Sequence, residues 1–169
     1  MLLREALGRR WQSIRKRLIY RLINFWPPYF FAGIHVTRLD PAHGVAEVEL
    51  RTHWWNANYH GTAYGGSLFS MTDPFYALIL IEHLGPRFMV WDKTSSIRFR
   101  RPGVGTVKAR FEIARETIDE IRETAIREGK AEPSFVCDIV DAKGETVARV
   151  EKLVHVKRVT KKKAAESRK

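Results

Sequence analysis

A chain of 169 residues with 44% hydrophobic and 11% aromatic content is long enough for one domain with a real core, short for two, and too apolar to be disordered. Its single cysteine, Cys137, excludes an intrachain disulfide, and its strand-like surroundings make it a small buried hydrophobe rather than a nucleophile. The net charge of +11 lies at the ends: residues 1–33 and 157–169 each hold seven Lys/Arg and one acid, whereas 34–156 hold 16 bases and 17 acids, which argues against nucleic-acid binding by the domain itself.

Residues 2–26 read as a basic amphipathic helix, with Leu3, Leu7, Trp11, Ile14, Leu18, Leu22 and Phe25 at spacings of three and four. Pro27-Pro28 is expected to end it. Its stripe suits either its own domain or an anionic lipid surface. Seven basic residues interrupt every apolar stretch there, so it does not read as a secretory signal, and no run approaches the ~18 apolar residues of a membrane span. A cytoplasmic, soluble or surface-associated protein is expected. The chain divides into a basic segment with a Pro-rich connector (1–33), a folded domain (34–157) and a basic tail (158–169) suited to solubility or disorder.

Residues 34–40 and 44–51 form an expected strand pair, with Ala46, Val48 and Leu50 alternating against Glu47, Glu49 and Arg51. Residues 52–62 are an aromatic, Asn-rich loop. Residues 65–84 leave almost no polar face and read as a helix buried on most sides, kinked at Pro74 and stopped by Gly85-Pro86. Strands follow at 88–101 and 107–113, then a short helix of about three turns opened by a capping box at Thr117–Glu120, then strands at 135–140 and 147–157. Lys152 breaks the apolar face of the last strand. A helix that is apolar nearly all round must be wrapped, and an antiparallel sheet curled around it is the simplest α+β solution. The open sheet edges favour pairing with a second copy.

The stretch from Asn58 to Asp73 carries the chemistry. Gly65-Gly66 opens the buried helix, where unpaired amides carry partial positive charge and glycine lets a carbonyl approach. That is the requirement of an oxyanion site. Asp73 is the only carboxylate between Arg51 and Glu82, and an acid in an apolar helix must be paired, raised in pKa or used. Eight helical residues separate it from Gly65 by about 12 Å. One chain cannot easily bring both to one carbonyl; two antiparallel helices across a dimer axis can.

The spacing Asn58-x-x-Gly61-x-x-Tyr64-Gly65-Gly66-x6-Asp73 resembles the motif of hotdog-fold acyl-CoA thioesterases, in the branch of the phenylacetic-acid-pathway thioesterase. It departs at Tyr64, where those enzymes usually carry His. The aromatic before Gly-Gly, with Trp91-Asp92-Lys93 downstream, is similar to a less-characterised bacterial group. The resemblance spans about 34–157 and implies the hotdog fold and an acyl-CoA or acyl-carrier thioester as substrate. It implies a homodimer or a dimer of dimers and no cofactor. It also implies catalytic roles for Asp73 of the partner subunit (general base or nucleophile), the Gly65 amide (carbonyl polarisation) and Asn58 (water or substrate). Gly66, Tyr64, Trp91, Asp92 and Thr94 are the implied substrate contacts.

Asp92-Lys93 reads on its own residues as a buried or edge salt bridge, or as a pair with one member reaching the site. The six histidines show no metal spacing, so no metal is expected. Trp54, Trp55, Phe69, Tyr76, Phe88 and Trp91 are the expected apolar pocket lining. The alternatives are a non-catalytic acyl-binding module, a dehydratase or isomerase, disfavoured by Tyr64, and nucleic-acid binding through the basic ends.

Overall fold

The computed structural model describes residues 22–159. The expected helix up to residue 21 and the tail from residue 160 lie outside the described residues. The elements are α1 (Pro27–Ala32), β1 (Ile34–Asp40), β2 (Val45–Arg51), α2 (Gly65–Ser70), α3 (Phe75–Leu84), β3 (Phe88–Phe99), β4 (Thr106–Glu112), α4 (Arg115–Glu128), β5 (Lys130–Ala131), β6 (Ser134–Val140) and β7 (Thr146–Arg158). The strands form one antiparallel sheet in the order β1-β2-β4-β6-β7-β3, with β5 beside β7. β1 and β3 are therefore its edges.

The long apolar segment lies against this sheet as α2 and α3. Pro74 cannot donate a backbone bond, and the helix breaks there: Asp73 N–H closes the preceding turn on Ser70 O (3.1 Å), and α3 resumes at Phe75. The Asp73–Pro74 peptide is cis. Phe75, Ile79 and Leu80 of α3 are fully buried against Val48, Val107, Phe111 and Ile139 from the sheet. The core centres on stacked rings: Phe111 lies 4.9 Å from Phe75 and meets Tyr76 edge-on at 5.2 Å. Truncating Phe111 to Ala should lower the unfolding free energy by about 3–5 kcal/mol through lost transfer energy and a cavity. The check is a lower denaturant midpoint at unchanged m value.

Three sequence expectations shift. Pro27-Pro28 ends one element but also begins another, because proline is pre-organised for the first helical position; α1 follows and ends at Gly33 (φ 74°). Residues 23–25 form a 3₁₀ turn. The fourth helix starts at Arg115, not at the Thr117 capping box. Ala114 turns the chain in without a side-chain cap, while Asp119 pairs with Arg122 and Arg115 (3.4 Å). The helix is accordingly 14 residues long, burying Ile118, Ile121 and Ala125.

Candidate active site

Asp73 occupies the break between α2 and α3, where no helical turn encloses its side chain. Two other elements hold it. The buried Tyr29 of α1 donates its hydroxyl hydrogen to the Asp73 carbonyl oxygen. Lys152 of β7 reaches the Asp73 carboxylate, with Nζ 3.5 Å from Oδ1, and binds Asp92 of β3 more tightly, with Nζ 2.5 Å from Oδ2. The face-breaking Lys152 is thus the cation between two acids. Its side chain is only 3% exposed, against 65% for Asp73.

The strand β3 sorts its polar residues by a register shift against β7 between Asp92 and Thr94. On one side of the shift Asp92 faces inward to Lys152. Lys93 goes the other way, to Glu132 (2.9 Å), which also pairs with His155 and is held down to about 2 by those two neighbours. The Asp92-Lys93 pair of the sequence is therefore split, and each member has a different partner.

Asp73, Asp92, Lys152, Ser70 and Ser95 line one open cleft of about 510 Å³, walled by Phe69, Pro28, Tyr29 and Trp26. Trp26 packs on Tyr29 with ring centroids 5.2 Å apart. Withdrawal from water raises the Asp73 carboxyl above its ordinary value; Lys152 opposes this, and the Asp92 charge adds to it. Burial likewise raises the Tyr29 hydroxyl, which stays a neutral donor.

Gly65 lies at the first position of α2 after the extended Tyr64 (φ −67°, ψ 131°). It lines a second cleft of about 430 Å³ with Asn58, Leu68, Phe99 and Pro102. Within one chain, then, Gly65 and Asp73 open on different clefts. Asn58 organises the loop before Gly65. Its Oδ1 accepts from the backbone N–H groups of His60 (2.9 Å) and Thr62 (3.1 Å), and its Nδ2 donates to Thr62 Oγ1 (2.8 Å). Gly66 leaves room for the Tyr64 ring, which would overlap a Cβ at that position. Tyr64 itself is exposed.

Trp91 and Thr94 are exposed and line neither cleft. Of the expected apolar lining, Phe69 is in place. Tyr76 is instead a core residue stacked on Phe135 (4.6 Å), and Phe88 packs against the core. Trp54 and Trp55 are exposed in their loop. Trp26, Tyr29 and Lys152 are the site residues sequence reasoning missed; the one signal was a lysine on an apolar strand face. Cys137 is buried, its thiol pushed up to about 12 by burial and the Asp138 charge. Among the described residues no group of His, Cys, Asp or Glu could hold a metal, and no helix is long and apolar enough to cross a membrane.

Residues 15–156 match the family model described as a domain of unknown function, DUF4442. The chain belongs to the DUF4442 family. Comparison with curated proteins finds no match. Among solved structures, this DUF4442 chain is similar to a Pseudomonas aeruginosa protein of unknown function given as a probable thioesterase: 25% identity, 85% of this chain and 96% of that one, TM-score 0.76. It is also similar to the Escherichia coli PaaI protein of the phenylacetic acid degradation operon: 21% identity, 83% and 90% coverage, TM-score 0.57. A Haemophilus influenzae thioesterase matches at 14% identity, 80% and 86% coverage, TM-score 0.58. The DUF4442 chain has the hotdog fold of these structures, an antiparallel sheet with a long central helical segment.

Proposed function

We propose that this protein hydrolyses an acyl-CoA or acyl-carrier thioester as a homodimer, each site combining the Gly65 amide of one subunit with Asp73 of the partner subunit. The observation that carries the reading is Asp73: its backbone is held by Tyr29, and its carboxyl is met by Lys152, raised in proton affinity and opens on an aromatic-walled cleft. The open edge strand β3 and the separate clefts of Gly65 and Asp73 support assembly across two subunits.

In this mechanism the Gly65 N–H donates to the thioester carbonyl oxygen. Asp73 takes a proton from water as the water oxygen bonds to the carbonyl carbon. The carbonyl electrons move onto oxygen under the amide, then return as the C–S bond breaks. The leaving thiolate takes the proton back from Asp73, giving free acid and free thiol. A raised pKa makes Asp73 a stronger proton acceptor for this step. Asn58, bonded within its loop, acts by positioning Gly65.

Thiol release from short, medium, long and aromatic acyl-CoAs by the purified protein tests the reading. The aromatic walls predict the largest kcat/KM for lipophilic or aromatic acyl groups. Tight acyl-CoA binding with no release for any chain length would leave the protein an acyl-binding module instead.

A further inference from the structure

Lys152 is the one buried charged side chain among the described residues. Such an ammonium is tolerated only when paired, and a single carboxylate would neutralise it. Two acids converge on it: Asp92 at 2.5 Å and Asp73 at 3.5 Å. Both acids meet the same ammonium and line the same cleft, so their charges act on each other. Asp92 Oδ1 is buried and has no hydrogen-bond partner. Two ionised carboxylates in that position present acceptor to acceptor, with one net negative charge in excess. One proton between them removes both faults: it supplies the missing donor and balances the charge of the trio.

We propose that Asp92 is a positioning residue for Asp73: its Oδ2 fixes the Lys152 ammonium, and its Oδ1 receives the hydrogen of the Asp73 carboxyl whenever Asp73 carries a proton. This deepens the hydrolase reading and rests on it for its catalytic meaning. The proton that Asp73 draws from water is then held between two acids until the thiolate collects it. No oxidant or further reactant is needed. The groups facing the pair are the Tyr29 hydroxyl on α1, which holds the Asp73 backbone, and Lys152 on β7. Ser70 and Ser95 complete the cleft without charge.

The test is the acid limb of the kcat/KM pH profile, which reports the pair as a macroscopic value. Asp92→Asn removes the neighbouring negative charge and leaves Lys152 acting on Asp73 alone, so the limb should move to lower pH by about one unit. Lys152→Met removes the cation, so the limb should move up by a similar amount. Limbs that stay in place, or that move the same way in both variants, overturn the proposal. A second measurement needs neither turnover nor the lysine variant: carboxyl ¹³C NMR titration of Asp-labelled wild-type protein, assigned with Asp73→Asn. The Asp73 carboxyl should titrate in two coupled steps, and Asp92→Asn should collapse them to one. Two independent single-step titrations overturn the pair even in an active enzyme. Coupled titration in an inert protein supports the pair and removes only the hydrolase reading.

Discussion

Replacing Asp73 by Asn should abolish thioester hydrolysis, by about 10²–10⁴-fold in kcat, while leaving the protein folded and slightly more heat-stable at neutral pH. The amide keeps the shape of the side chain but cannot accept a proton from water. The stability half follows from linkage. Asp73 binds its proton more tightly in the folded chain than in the unfolded one. Between the two pKa values the native state carries more protons, so stability falls as pH rises through that window. Its favourable contribution is complete below the unfolded value and gone above the folded one. At neutral pH the ionised acid therefore weighs against the fold, and Asn removes that weight. Lys152 is not stranded by the change, because Asp92 stays 2.5 Å away. The 65% exposure of Asp73 limits the effect through solvent screening, so a rise of about 1–2 °C in Tm is expected. Thiol release at the wild-type rate would dismiss Asp73 as the base. A large drop in Tm would trace the loss of activity to unfolding instead.

What could be read from the sequence, and what could not, divides along a physical line. Local periodicity gave the strand faces of β2, β4 and β7 and the buried character of α2 and α3, because each is set by nearest neighbours on one element. The missing N–H of Pro74 gave the break that frees Asp73. The partners of Asp73 were hidden because they come from three other elements. That Lys152 interrupts an apolar face was visible; that it meets Asp92 depends on the pairing of β3 with β7 and on a register shift between Asp92 and Thr94, which no local pattern encodes. The same shift accounts for Lys93 turning to Glu132 rather than joining its chain neighbour. Tyr29 is hidden in the sequence because Pro27-Pro28 looks like a stop, whereas proline serves equally as a start.

The cross-subunit site has a sharp test in Gly65→Pro. Proline at the first position of a helix is well tolerated, and it deletes only the N–H that the mechanism needs. The preceding residue must be extended, and Tyr64 already is, at φ −67° and ψ 131°. A Cβ at Gly65 would come 3.1 Å from the Phe99 ring, a contact that a half-exposed ring relieves by a small rotation. Loss of one oxyanion donor should lower kcat by about 10²–10³-fold with little change in Tm. The decisive arm mixes this variant with Asp73→Asn. Each homodimer is dead. In the heterodimer, the Asp73→Asn subunit still supplies an intact Gly65 and the Gly65→Pro subunit still supplies an intact Asp73. Paired across the boundary, these two rebuild one whole site and leave the other doubly damaged. Co-expressed, doubly tagged heterodimers should therefore recover about half the wild-type turnover per dimer, since one of two equivalent sites is whole. If both groups served from the same chain, neither site of the heterodimer would be whole and no activity would return.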